Sequence, residues 1–315
     1  VAEYVVENPQ GTPMAGSLKL AFTADTQASE AAHVRVEGQR VLVTGKDKLL
    51  AVVDLADLGG LSAAVKGSEL TISGTLAGGA KARCWAYAPM EWDAKADELS
   101  GGESLHATAK AYWQKQIAQG MKIEIPDKLL QNLISASQAH CMIASRSEDG
   151  GKRIDPYIAS AYYGSLDTES HAIIRGMDMM GQSEYARRGF DFFIKRENPA
   201  GYLSHGYTMM GTGPHLWFLS DHYRLTGDTQ WWRDLTPNVE NICQWVGKQC
   251  RKTMRKDARG VDVPEYGLVP PGTVADWQDW GYIFSMEGYY YAGLSRAAEA
   301  LKEIGDPRAR EFAKD

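Results

Sequence analysis

The chain is poor in cysteine. Cys84, Cys141, Cys243 and Cys250 are scattered over 315 residues, and none sits in a C-x-x-C pair. That spacing argues against a disulfide framework and against a structural zinc site. It leaves buried thiols, with Cys243 and Cys250, seven apart, on one face of a helix. No apolar run approaches the ~18 residues that a membrane span needs. Positive charge is not in excess: 34 Lys and Arg against 40 Asp and Glu give a formal net charge of −6. A general nucleic-acid binder would carry a basic face instead. The start, Val1-Ala2-Glu3-Tyr4, lacks the basic region and apolar stretch of a leader peptide. No H-E-x-x-H or similar spacing is present, so no metal is expected.

What the chain does have is 44% apolar residues, 9 Trp and 15 Tyr. Such a composition builds globular cores, and aromatic faces also stack on the apolar faces of sugar rings. Residues 1 to about 97 read as strands. Leu18–Phe22, His33–Val36 and Arg40–Val43 alternate, Leu49–Val53 is a short apolar run, and Glu69–Ser73 and Ala82–Tyr87 complete the set. Glu37-Gly38-Gln39 is a turn centred on glycine. Short strands between glycine-containing turns predict an antiparallel sandwich or barrel. After Ser100-Gly101-Gly102 the apolar period changes from two to about 3.6. Helices are expected at 107–118, 127–144 with Asp127 as cap, 167–180, 183–196, 213–226, 229–250 and 283–304. Nothing after residue 105 reads as a strand. The boundaries that follow are 1–100 for a β-sandwich-like segment and 101–315 for a helical domain.

A weak repeat runs through the helical part. Met180-Gly181-Gln182, Thr226-Gly227-Asp228 and Ile304-Gly305-Asp306 each end one helix on glycine and open the next on a polar residue. Helix, glycine turn, helix and long loop make the beat of an array of helical hairpins. The first two turns lie 46 residues apart and the next two 78 apart. The excess falls in the loop 252–280, an insertion expected to serve function. Asp306–Asp315 is expected to begin a further helix whose apolar side has no partner.

Two loop-to-helix segments carry the chemistry. One runs from Asp155 through Tyr162-Tyr163-Gly164-Ser165-Leu166-Asp167-Thr168-Glu169 to His171; the other is Tyr266-Gly267-Leu268-Val269-Pro270-Pro271 leading to Asp276-Trp277-Gln278-Asp279-Trp280-Gly281. Both set carboxylates among aromatics and glycines before an apolar helix. Glycosidic cleavage uses one carboxyl group to protonate the leaving oxygen and a second to activate water or attack. An aromatic neighbour raises an acid's pKa by desolvation, which keeps it protonated near neutrality. The plainer reading is that Asp167 caps the 167–180 helix and that Asp276 or Asp279 caps the one near 283. His205, between Tyr202 and Tyr207, is the best histidine for a sugar hydroxyl. His215 and His222 lie seven apart on one helix without a third ligand. His140, Trp217, Trp231, Trp232 and Trp245 have helical spacing and read as packing. Lys252–Arg255 with Lys256 and Arg259 reads as a solvated basic helix end.

The glycine–acid turns, the Tyr163–His171 segment and Gly267–Pro271 leading to Asp276–Trp280 together resemble the six-hairpin glycosidase superfamily. Its members include the glucoamylase, trehalase, processing α-glucosidase and α-L-rhamnosidase families. The likeness covers about residues 110–315 and singles out no one family. It implies an α+β multidomain chain, an N-terminal antiparallel β-sandwich segment followed by an (α/α) helical-hairpin toroid that is incomplete here. Trehalase-like relatives carry the general acid on a loop placed like 272–281 and bind sugar through an aspartate placed like Asp167. Rhamnosidase-like relatives place the acid earlier, at Asp155, Asp167 or Glu169. The expected activity is that of an inverting glycoside hydrolase. Asp279 or Asp276 is its acid and Tyr163, Asp167, Glu169, His205, Trp277 and Trp280 line the sugar site, with the base unassigned. No cofactor is expected, because proton transfer and water suffice. The expected partners are a carbohydrate substrate and a segment or subunit completing the toroid, with neither nucleic acid nor membrane. A secreted or periplasmic setting is favoured over a cytoplasmic one. Two alternatives stand beside it: a polysaccharide lyase using Tyr207 with His205, and a non-catalytic carbohydrate-binding scaffold.

Overall fold

A computed structural model describes residues 1–23, 32–45, 48–89, 93–157, 164–203, 211–274 and 277–314. The chain divides into two compact units, Val1–Trp113 and Gln114–Asp315.

The first unit is antiparallel. Strands β1 (Ala2–Glu7), β2 (Met14–Ala21), β3 (His33–Glu37), β4 (Arg40–Gly45), β5 (Lys48–Asp57), β6 (Ser62–Lys66), β7 (Glu69–Leu76) and β8 (Lys81–Tyr87) precede helix α1 (Gly102–Ile117). They form a five-stranded sheet in the order β1-β8-β5-β4-β3 and a three-stranded sheet β2-β7-β6. One apolar cluster takes Val41, Val53 and Cys84 from the first sheet and Leu70, Ile72 and Leu76 from the second. The two sheets therefore share a core. Gly38, at φ +61°, makes the tight turn between Glu37 and Arg40. The expected strands are all present; β1 and β6 are additional. β6 (SAAVK) eluded the alternation pattern because alanine is a weak strand signal.

The second unit is a hairpin array. It runs α2 (Lys128–Ile143), β9 (Ser145–Glu148), β10 (Arg153–Pro156), α3 (Asp167–Met179), α4 (Ser183–Ile194), β11 (Glu197–Asn198), β12 (Tyr202–Leu203), α5 (Thr212–Thr226), α6 (Thr229–Arg251), β13 (Gly272–Val274), β14 (Trp277–Gly281), α7 (Phe284–Glu303) and α8 (Ala309–Phe312). The three glycine turns close α3 to α4, α5 to α6 and α7 to α8, with φ +79° at Gly181, +68° at Gly227 and +77° at Gly305. Asp127 caps α2 by accepting from Leu130 N at 3.0 Å, and Asp228 caps α6 by accepting from Trp231 N at 3.0 Å. Gln182 does not cap α4; its amide instead donates to Gln138 Oε1 at 3.0 Å.

Because each turn reverses the chain, α3, α5 and α7 run the same way. Side-chain pairs along their length show it. Arg175 on α3 meets Asp221 on α5 at 3.1 Å, and Arg224 near the end of α5 meets Glu299 on α7 at 2.9 Å. Where the start of α5 crosses the first half of α7, a Cβ on Gly213 would lie 2.8 Å from the backbone of Tyr289, and one on Gly293 2.7 Å from the Gly213 carbonyl oxygen. Backbone cannot yield as a flexible side chain does. Gly213→Ala is therefore expected to cost ~1–3 kcal/mol, read as a lower denaturation midpoint at unchanged m.

Between the helices lies a core of Phe190, Phe193, Leu216, Trp232, Val246 and Leu301 with their neighbours. Trp217, Trp231 and Trp245 pack on it, as their spacing predicts, whereas His140 is exposed on α2. Two expectations need correction. The loops before α3, α5 and α7 each contain a two-stranded antiparallel ribbon, where no strand was expected. Runs of two to five residues are too short for a period to show. The apolar side of the last helix is not bare either, since Phe312 is 1% exposed within the core. The basic residues after α6 are exposed to solvent, as expected, and pair within one loop, Arg255 with Glu265, Lys256 with Asp262 and Arg259 with Asp257. No described helix is long and apolar enough to cross a membrane.

Candidate functional site

The parallel row brings the starts of α3, α5 and α7 together. Asp167, in the first turn of α3, is 2% exposed. Its Oδ1 accepts from the Thr168 hydroxyl at 3.2 Å, and its Oδ2 has no hydrogen-bond partner among the described residues. Burial pushes this carboxyl from the ordinary 3.8 up to about 7, against the Thr168 bonds that favour the charged form; nearby Glu169 adds to the rise. Gly211, just before α5, makes the fit possible, because a Cβ there would lie 2.2 Å from Asp167 Oδ2.

Thr212, the next residue, is buried and bonds both backbone groups of Leu203, accepting from N at 3.1 Å and donating to O at 3.3 Å. It also bonds the hydroxyl of Tyr290 on α7. Burial raises the Tyr290 phenol, and the charges of Glu287 and Asp167 raise it further. One phenol thus senses acids from both α3 and α7.

Glu287 stands one turn into α7. Its carboxyl is half-buried and pushed upward by that burial, opposed by a bond in which Oε2 accepts from Val269 N at 3.1 Å. It lines a crevice of about 10 Å³ with Val269, Val274, Gly281, Ile283 and Tyr290, about the room one water needs. On the other side Glu287, Tyr290 and Tyr291 border an open cleft of about 1110 Å³ that follows α7 to Lys302 and Arg310.

The ribbon β13–β14 forms one edge of the crevice. Its register slips between the Gly272–Gly281 and Val274–Trp277 pairs, so the strand bulges over 278–280. Asp279 and Trp280 ride on this bulge and are exposed, Trp280 by 71%. Asp279 and Asp167 are not N-caps: α7 starts after Ile283, with Asp279 inside a strand, and α3 starts after Leu166. Asp279 and Asp167 do not line either of the two cavities above. Glu169 is half-buried on α3. Asp155 is buried on β10, before the same loop. Tyr163, His205, Tyr207, Asp276 and the side chain of Trp277 lie outside the described residues.

Behind this end, two buried histidine networks join α3 to α5. His222 Nδ1 bonds Asp178 Oδ2 at 2.8 Å, and its Nε2 accepts from Arg187 Nε at 3.0 Å. Two turns closer to the site, His171 Nδ1 bonds the Asp167 carbonyl. His171 Nε2 meets His215 Nδ1 at 2.7 Å, and His215 Nε2 meets Glu197 Oε1 at 2.9 Å. The Asn238 amide closes this chain on Glu197 Oε2 at 2.7 Å. Among the described residues no three His, Cys, Asp or Glu side chains gather as metal ligands.

The sequence reading missed Glu287, Tyr290, Thr212, Gly211 and Glu197. An acid leading three consecutive tyrosines, Glu287-Gly288-Tyr289-Tyr290-Tyr291, was a visible signal just past the inserted loop. Glu197 gave none, because its role depends on a histidine eighteen residues away in sequence.

No family model matches the chain, and a search of curated proteins finds no match. Among solved structures, the chain is similar to one titled "Putative kojibiose phosphorylase from human microbiome". The TM-score is 0.43 at 10% identity, over 99% of this chain and 50% of that one. The chain thus spans about half the length of that structure.

Proposed function

We propose that this chain acts on carbohydrate and cleaves a glycosidic bond by proton donation from a carboxyl group at the shared start of α3, α5 and α7. The observation that carries the reading is Glu287: a half-buried carboxyl shifted toward its protonated form, on the rim of both cavities. A donor must hold a proton near neutral pH and still reach substrate. Burial shifts Glu287 toward its protonated form and it borders both cavities, while Asp167 is too enclosed to touch a sugar and serves to shape the site. The exposed aromatic Trp280 and Tyr291 offer faces for sugar stacking. Asp279, the donor expected from sequence, is the competing assignment; it is exposed on the adjoining ribbon. Hydrolysis with inversion is the finer form of the proposal.

Incubation with a panel of oligosaccharides and aryl glycosides is expected to release reducing sugar. Repeating it with inorganic phosphate separates attack by water from attack by phosphate. Following the product's anomeric form by NMR reads the stereochemistry. An unsaturated product absorbing in the ultraviolet would replace the proposal with a lyase. Saturable sugar binding without any bond cleavage would replace it with a binding scaffold.

A further inference from the structure

The two buried histidine networks differ in their supply of hydrogens. At His222 the supply closes: Nδ1–H donates to the Asp178 carboxylate, and Nε2 accepts from Arg187. A neutral ring suffices. In the other chain the three contacts of His171 and His215 need three protons. A carbonyl oxygen only accepts, so His171 Nδ1 must donate to Asp167 O. The contact between the rings needs one proton, and so does the contact between His215 Nε2 and Glu197 Oε1. Two neutral imidazoles carry two. Asn238 cannot supply the third, because its amide already donates to the other Glu197 oxygen.

We infer that the His171–His215–Glu197 chain holds one proton beyond two neutral imidazoles and a carboxylate, and that this proton latches α5 and β11 to the first turn of α3. Glu197 is 7% exposed at its side chain and His215 not at all, so the pair is largely shut off from bulk water. Around the rings, α3 contributes Asp167, β11 contributes Glu197, and α6 contributes the neutral Asn238. Phe190 and Phe193 from α4 and Phe218 from α5 lie against the His171 ring. Among the described residues, Arg175 is paired with Asp221 and Arg187 with Asp228 and His222. The inference stands apart from any catalytic assignment.

The unfolded histidines lose their charge above about pH 6.5. Folding above that pH therefore draws one proton from solvent. The stabilisation is complete at lower pH and fades as pH rises, with the unfolding constant growing about tenfold per pH unit until the folded chain releases its proton.

Glu197→Gln tests this, because the new amide can donate to His215 Nε2 while its oxygen accepts from Asn238. The variant then needs no extra proton. Between pH 7.5 and 8.5 the unfolding constant of the wild type is expected to rise about tenfold relative to the variant. Parallel curves would overturn the inference. Nitrogen and carbon chemical shifts of the wild type give an independent count: three protons over the two imidazoles and the Glu197 carboxyl at pH 7.5. A count of two would overturn it even if the variant failed to fold.

Discussion

Glu287→Gln is expected to lower turnover of a natural glycoside by ~10²–10⁴-fold, the span typical of losing a general acid. The substitution keeps an oxygen that accepts from Val269 N, so the contact between α7 and the preceding loop survives while the proton is lost. An aryl glycoside whose leaving group departs without protonation should lose far less. That split between substrates belongs to a proton donor and would not arise from a distorted pocket. The pH profile gives a second signature. Activity needs the protonated carboxyl, whose titration burial has moved upward. The wild-type rate should therefore fall on the alkaline side, and that limb should vanish in the Gln variant. Asp279→Asn is the control. If it shows the substrate split and Glu287→Gln does not, the donor rides on the β13–β14 bulge, and Glu287 merely ties α7 to Val269. If neither does, proton donation from this end of the array is wrong.

The path from sequence to this site shows where local pattern is enough and where it fails. The apolar period placed every helix of the array, because a face buried against Phe190, Trp232 and Leu301 must recur every three to four residues. Glycine turns were legible for a similar reason: Gly181, Gly227 and Gly305 adopt a left-handed backbone that other residues resist. Asp167 stood out through the company it keeps in sequence, and the plainer reading, a helix cap, fails because α3 is capped at Leu166. Glu197 and Thr212 were illegible, since each matters through partners on other hairpins, His215 and Asn238 for one, Leu203 and Tyr290 for the other. Their pairing is a property of the parallel row, and no window along the chain contains it. The ribbons before α3, α5 and α7 fall between these cases, being local but too brief to carry a period.

Asp167→Asn is expected to change the pH dependence of stability more than any other single substitution. The carboxyl titrates at about 7 in the fold against an ordinary 3.8. The folded state thus binds this proton more tightly than the unfolded chain does. Its stabilising contribution is whole below about pH 4 and is lost as pH rises through 7. A difference of about three pH units at ~1.36 kcal/mol each gives a loss on the order of 4 kcal/mol across that window. An asparagine cannot ionise, so the variant should lack this loss. It carries a different cost, independent of pH: its amide would occupy the position of Oδ2, which has no partner among the described residues. An unmet buried donor costs ~1–3 kcal/mol. The two stability curves should therefore cross, with the wild type more stable near pH 4 and the variant more stable near pH 8. Denaturant titrations at pH 4.5, 6, 7 and 8 read the difference directly, and a constant offset between the proteins would show that the carboxyl is not strained. Such strain has a use only if the ionisable group matters where three helices begin. On the proposed function, the variant that gains stability at pH 8 should also bind or turn over its sugar less well, because the carboxyl set between Gly211 and Thr168 would no longer shape the site beside Tyr290.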